Sequence, residues 1–226
     1  MQNLKFNNKP IQISCDGGAA TGKSTGAKML AKKYNLKFLS SGLLYRYAAL
    51  LILKNNPKNK INFLKLKFKN LNYKKLNKLN LQTAQISRYS AKIAKIGSIR
   101  KILKKYQVDF SKNNKKCCIE GRDISTKIIP KSDLKFYFSC SLKIAARRRY
   151  KELKKKDPKV KYLEVKKALR IRNISDIKRK NSPLLKHRDS IEIVTSKIDK
   201  KKMLAKLSKY VEKVLNEKYG DGTRIK

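Results

Sequence analysis

The chain has 226 residues, with 60 Lys plus Arg against 15 Asp plus Glu, a formal net charge of +45, and 40% hydrophobic residues. That length and apolar content support one well-buried core and exclude both a disulfide-stapled peptide and a disordered solvating tail. So basic a surface attracts polyanions of every kind, but 48 of the 60 cations are Lys and are scattered along the whole chain, so the charge reads as a composition bias and no specific nucleic-acid partner is expected.

Residues Met1 to Pro10 carry no apolar signal core, and the longest apolar run, Tyr47 to Leu53, is seven residues. A membrane span needs ~20, so the expectation is a cytoplasmic protein with no membrane partner. Ile11 to Asp16 reads as a short strand running into a glycine-rich stretch, and Lys23 to Tyr34 then places Ala27, Leu30 and Ala31 at helical spacing. Lys37 to Ser41 predicts a second strand, and Leu43 to Leu53 a helix apolar nearly all round, hence buried. Lys54 to Asn80 is rich in Lys and Asn without a single acid. Within it Leu64, Leu66 and Phe68 alternate with Lys, the period of a half-buried strand in a small exposed sheet; a solvated loop is the alternative. Leu81 to Phe110 reads as helix broken near Gly97. Cys117 to Glu120, Leu134 to Cys140 and Ile191 to Thr195 complete five strands, with Lys/Arg-rich helices over Leu142 to Lys156 and Tyr162 to about Arg179, parted at Asp157-Pro158. Strands alternating with helices predict an α/β fold, three layers with a five-stranded parallel sheet between helices. The four cysteines, Cys15, Cys117, Cys118 and Cys140, lack C-x-x-C spacing and fall in the strand-like runs, so buried free thiols in a reducing compartment are expected.

The sharpest motif is Gly17-Gly18-Ala19-Ala20-Thr21-Gly22-Lys23-Ser24, followed by Thr25, lying between the first strand and the first helix. It satisfies the G-x-x-x-x-G-K-[ST] phosphate-loop pattern in its proper context. Glycines let backbone N–H groups wrap phosphates, the helix start adds partial positive charge, Lys23 reaches the terminal phosphates, and the Ser24 hydroxyl suits Mg²⁺. Arginine carries a second signal. Only twelve are present, yet Arg46, Arg100, Arg122, the triplet from Arg147 to Arg149, Arg172 and Arg179 sit in compact motif-like segments, and a planar guanidinium binds phosphate bidentately where Lys offers a point charge. Among the few acids, Asp16, Asp123 and Asp176 lie beside those cations or glycines.

Asp16-Gly17, Ser41-Gly42-Leu43-Leu44-Tyr45-Arg46, Glu120-Gly121-Arg122-Asp123, Arg147-Arg148-Arg149-Tyr150 and Arg172-x3-Asp176-x2-Arg179 before Pro183-Leu184 occur in one order over residues 11 to 215. In these segments the chain resembles the bacterial cytidylate kinases, within the P-loop nucleoside monophosphate kinases. The resemblance implies a single kinase domain over 1–226, with its core at 11–53 and 81–215, an acceptor-side insertion at about 54–80 and a lid at about 147–161; a monomer is expected. It implies ATP with Mg²⁺ as donor and CMP or dCMP as acceptor. Asp16 would lie near the transferring phosphate and Mg²⁺, Arg148 and Arg149 would neutralise charge from the lid, and Ser41 and Arg46 would hold the acceptor phosphate. Arg100 and Asp123 would face the cytosine, and Arg172 and Asp176, with Arg122 and Arg179 nearby, would hold the sugar side. Two positions depart from the family: Ala91 stands where a Ser is usual, with Ser90 one residue earlier, and Ser40 where an Asp is usual. A kinase for UMP or AMP, or an RNA-binding protein on a degenerate kinase fold, are the rival readings.

Overall fold

In the computed structural model, which describes residues 9–155 and 157–220, β1 (Ile11–Gly17) is the central strand of the molecule. Four more strands, β2 (Lys37–Ser40), β3 (Lys116–Gly121), β4 (Leu134–Ser139) and β5 (Ile191–Val194), join it in the order β2-β3-β1-β4-β5, all parallel. Ile11, Ile13 and Cys15 project to one face with Cys118, Phe136 and Phe138, and are covered by α1 (Lys23–Lys33) and α8 (Lys200–Tyr219). Cys117 and Ile119 project to the other, covered by α2 (Ser41–Asn55), α3 (Lys60–Lys69), α4 (Ala84–Ile93) and α5 (Gly97–Asn113). The expected three-layer α/β/α arrangement is thus present, with period-2 alternation sorting each strand's side chains between two cores. A third, smaller cluster joins α6 (Leu142–Lys154) and α7 (Tyr162–Lys178) to Ala19.

On the α2–α5 side, β1 presents polar residues. Gln12 Nε2 donates to Ser111 O at 2.6 Å, Ser14 accepts from the Ser132 hydroxyl at 3.0 Å, and Asp16 is wholly enclosed. Buried polar groups in such a position require partners.

The insertion corrects the sequence reading. Residues Lys60–Lys69 form helix α3, followed by a 3₁₀ turn at Tyr73–Lys78, rather than a strand of an exposed sheet or a plain loop. Asn59 caps α3 by accepting from Asn62 N at 3.0 Å. Leu64 and Phe68 are buried one helical turn apart while Leu66 is 70% exposed; the alternation Leu64, Leu66, Phe68 contained an i, i+4 pair that the strand reading absorbed. Phe68 packs edge-on to Tyr106 of α5, ring centroids 5.9 Å apart, and the Tyr106 hydroxyl donates to Leu71 O at 2.8 Å.

Two smaller expectations also shift. Ser41, expected to end the second strand, is the first residue of α2, and Ser40 is its cap, accepting from Leu43 N at 3.3 Å. Cys15, Cys117 and Cys118 are buried free thiols in strands, but Cys140 lies just past β4 and is only half-buried. No helix among the described residues is long and apolar enough to cross a membrane.

Candidate active site

The carboxyl ends of the parallel strands open into a cleft of about 600 Å³, the crevice where open α/β sheets bind ligands. One wall is the phosphate loop. Gly17 leaves β1 so close to β4 that a Cβ there would sit 2.3 Å from Phe138 O, and Gly22 turns the chain into α1 at φ 90°, in the left-handed region. Among the described residues no side chain caps the start of α1, which leaves its first N–H groups available to an anion. The residues from Ala19 to Thr25 line the cleft, with Ser24 exposed on it. Lys23 is buried and its Nζ donates to Gly18 O at 2.9 Å. Burial, reinforced by Arg122 and Arg172 and opposed by Glu120 and Asp176, pushes the Lys23 ammonium down to about 7.

The facing wall is an alternating chain of charges. Arg122 Nε donates to Asp176 Oδ2 at 2.8 Å, Arg179 reaches Asp176 Oδ1 at 3.5 Å and Asp123 Oδ1 at 3.9 Å, and Arg100 closes the series on Asp123 Oδ2. The Arg100 guanidinium also lies 5.5 Å from the centroid of the Tyr45 ring. Burial pushes the Asp176 carboxyl up, but Arg122, Arg172 and Arg179 outweigh it and hold the group below its ordinary value. Burial lowers Arg172 to about 10, with Arg122 adding to it. The buried Nε atoms of Arg46 and Arg172 have no hydrogen-bond acceptor among the described residues, and Ser41 also lines the cleft. In all, ten cationic side chains and five carboxylates line the cleft. That surplus, with guanidinium donors left over, suits a ligand carrying several phosphate charges.

The arginine triplet divides as a helix requires. Arg147 is exposed, whereas Arg148 and Arg149, one and two residues on along α6, face the cleft. Arg148 is held by Thr195, to whose hydroxyl and carbonyl it donates at 2.8 and 2.7 Å, and Thr195 in turn donates to Thr21 O at 2.8 Å. One hydroxyl therefore links Arg148 of α6 to the phosphate loop. Arg149 pairs with Glu152 at 3.0 Å.

Of the residues singled out by sequence, Lys23, Ser41, Arg46, Arg100, Arg122, Asp123, Arg148, Arg149, Arg172, Asp176 and Arg179 all reach the cleft with the loop from Ala19 onward. Gly17 and Gly18 shape the loop from behind. Asp16, directly before the loop, is fully enclosed and does not line the cleft, and both carboxylate oxygens are taken by the chain just beyond Asp123. Burial raises its carboxyl against the pull of the Ser125 and Ile124 hydrogen bonds. Sequence reasoning missed four residues. Tyr45 was inside a quoted motif, and Glu120, which accepts from the Ser40 hydroxyl at 2.5 Å, was in another. Asn173, whose Oδ1 accepts from Ala19 N at 3.2 Å, and Thr195 had only their places beside Arg172 and at a strand end as signals.

A phosphate loop at the crevice of a five-stranded parallel sheet, faced by an arginine-rich wall, defines a P-loop protein of the nucleoside monophosphate kinase fold. A solved structure of an uncharacterised protein from Eubacterium ventriosum shares this fold, with a TM-score of 0.53 at 16% identity over 91% of this chain and 99% of that one. The cytidylate kinase family model matches residues 13–213. A cytidylate kinase of Fusobacterium nucleatum is 36% identical over 90% of this chain and 98% of its own, and one of Bartonella tribocorum 38% identical over 78% and 82%. The chain belongs to the cytidylate kinase family.

Proposed function

We propose that this protein transfers the γ-phosphoryl group of ATP to CMP or dCMP, giving ADP and CDP or dCDP. The observation that carries the reading is the two-walled cleft, with a phosphate loop on one side and the Arg122–Asp176–Arg179–Asp123–Arg100 series on the other. The acceptor oxygen of a nucleoside monophosphate is already anionic, so the transfer needs no general base. His187, the one histidine, lines no part of the cleft. The chain's contribution is position and charge: Lys23, Arg148 and Arg149 neutralise charge spread over the transferring group, and Arg46 with Ser41 holds the acceptor phosphate. Asp123 accepts from the cytosine amino group, and Arg172 with Asp176 holds the sugar side.

The donor set fits Mg²⁺ in a nucleotide complex. Among the described residues no three His, Cys, Asp or Glu side chains converge as a cage, whereas a hydroxyl, that of Ser24, is exposed on the loop. Mg²⁺ bound chiefly through phosphates and water needs no more protein ligands than this. When bound, it would add charge neutralisation at the phosphates.

We take the kinase unit to have its core at 11–53 and 81–215, with the acceptor-side insertion at about 54–80 and a lid at about 147–161 that closes to exclude water, and to work as a cytoplasmic monomer. Free buried thiols accord with a reducing compartment, and light scattering tests the oligomeric state. A coupled ADP-release assay across CMP, dCMP, UMP and AMP at about 150 mM salt, where loose polyanion binding is largely screened, tests the reaction. Preference for CMP and dCMP supports it. UMP or AMP turned over as well as CMP would replace the acceptor, and no turnover with RNA retained would replace the whole reading by a binding protein.

A further inference from the structure

Asp16 and the turn after Asp123 meet where β1 and β3 end side by side, with Asp16 opposite Gly121 in the register. The Asp16 carboxylate accepts three hydrogen bonds, and all come from one turn. Ile124 N donates to Oδ1 at 2.8 Å, while Ser125 N and Ser125 Oγ donate to Oδ2 at 2.7 and 2.6 Å. Asp16, Ile124 and Ser125 are all fully enclosed. An enclosed carboxylate is tolerated only with its donors in place, and backbone N–H groups so enclosed need an acceptor. The two requirements lock one another. The turn continues as a single π-turn over Ile124–Ile128, with Lys127 N donating back to Asp123 O at 2.9 Å. Arg122 and Asp123 immediately precede it, and their side chains are the ones that reach the cleft.

We propose that Asp16 is a positioning residue for acceptor recognition: by bonding Ile124 and Ser125 it fixes the turn that aims Arg122 and Asp123 into the cleft, and it takes no part at the phosphate donor. The inference rests on the reading of CMP as acceptor. It assigns to the residue just before the phosphate loop a function on the opposite wall. Ser125, which never reaches the cleft, joins it in that function.

The test compares Asp16→Asn and Ser125→Ala with the unaltered protein, measuring kcat and KM separately for ATP, CMP and UMP. In Asp16→Asn an amide NH₂ must face donors, so KM for CMP rises about tenfold or more; Ser125→Ala, which removes one hydroxyl, raises it about threefold. The preference for CMP over UMP falls in the same order, and KM for ATP stays within about twofold. If Asp16→Asn does not fold, Ser125→Ala decides alone. A loss confined to ATP or to kcat, with CMP affinity and selectivity intact, overturns the inference and returns Asp16 to the donor side. Equal loss on both substrates overturns it in favour of a merely structural role. An unaltered protein that ignores CMP overturns the proposed function as well, so the two failures are distinct.

Discussion

The Arg100 guanidinium pairs with the Asp123 carboxylate while lying over the ring of Tyr45, so a cation, an anion and an aromatic face are fixed together in one wall of the cleft. Asp123 is buried and also within 3.9 Å of Arg179. Two arginines flank it, and in the proposed role it would accept from the amino edge of cytosine and oppose the carbonyl that uracil presents there. Asp123→Asn should reduce the kcat/KM ratio of CMP over UMP by about tenfold, the scale of one mispaired buried group. An unchanged ratio would remove Asp123 from base selection. Ala91 in place of a hydroxyl should weaken that selection without reversing it, since a single neutral hydrogen bond contributes only ~0.5–1.5 kcal/mol.

Lys23 is tethered to its own loop through Gly18 O, and in the proposed reaction a nucleotide's terminal phosphates would compete for it. Lys23→Ala should lower kcat by about 10²–10³, the loss typical of one positioned donor, while circular dichroism and thermal unfolding show a retained fold. Near-normal turnover would dismiss Lys23 from the mechanism.

The buried ammonium also makes a pH prediction. Its pKa falls from the ordinary 10.5 to about 7 in the folded chain, so between those values the unfolded chain holds more proton than the folded one. This group's contribution to stability therefore rises with pH across that window and is least favourable below it. Phosphate charge restores the ammonium, so ATP binding at about pH 8 should take up protons. Titration calorimetry in buffers of different ionisation enthalpy reads this directly, and Lys23→Ala should abolish the difference. Binding without proton uptake would mean that Lys23 keeps its charge in the free protein.

Asp176 holds Arg122 at 2.8 Å and Arg179 at 3.5 Å, and its own backbone carbonyl accepts from Leu184 N at 2.8 Å. The side chain can go while that backbone bond stays. Asp176→Ala should raise KM for CMP about tenfold while leaving KM for ATP nearly unchanged, because the arginines it frees lie on the wall proposed to hold the acceptor. Matched increases for both substrates would identify a purely structural ion pair.

The insertion gives a stability contrast. Leu64→Ala should cost ~2–5 kcal/mol by opening a cavity under α3, whereas Leu66→Ala, on the exposed face, should stay within ~0.5 kcal/mol. Denaturant titration measures both, and equal costs would contradict a helix with Leu64 inside.

How much of this was legible in the residues themselves depended on whether the signal was local. The phosphate loop was, because Gly17, Gly22, Lys23 and Ser24 act through backbone geometry within eight consecutive residues, and the five strands were, because each is a short apolar run between breakers. The scarcity of arginine in a Lys-rich chain likewise marked the wall facing the phosphate loop in advance. Where periods overlap, the sequence was ambiguous: Leu64, Leu66 and Phe68 satisfy a strand and, in part, a helix, and only packing of Phe68 on Tyr106 selects the helix. Asp16 shows the other boundary. A carboxylate before a phosphate loop shows only its sequence neighbours in one dimension, whereas its hydrogen-bond partners depend on which strand lies alongside. The parallel pairing of β1 with β3 turns it to Ile124 and Ser125, more than a hundred residues away, and no local pattern in the chain records that contact.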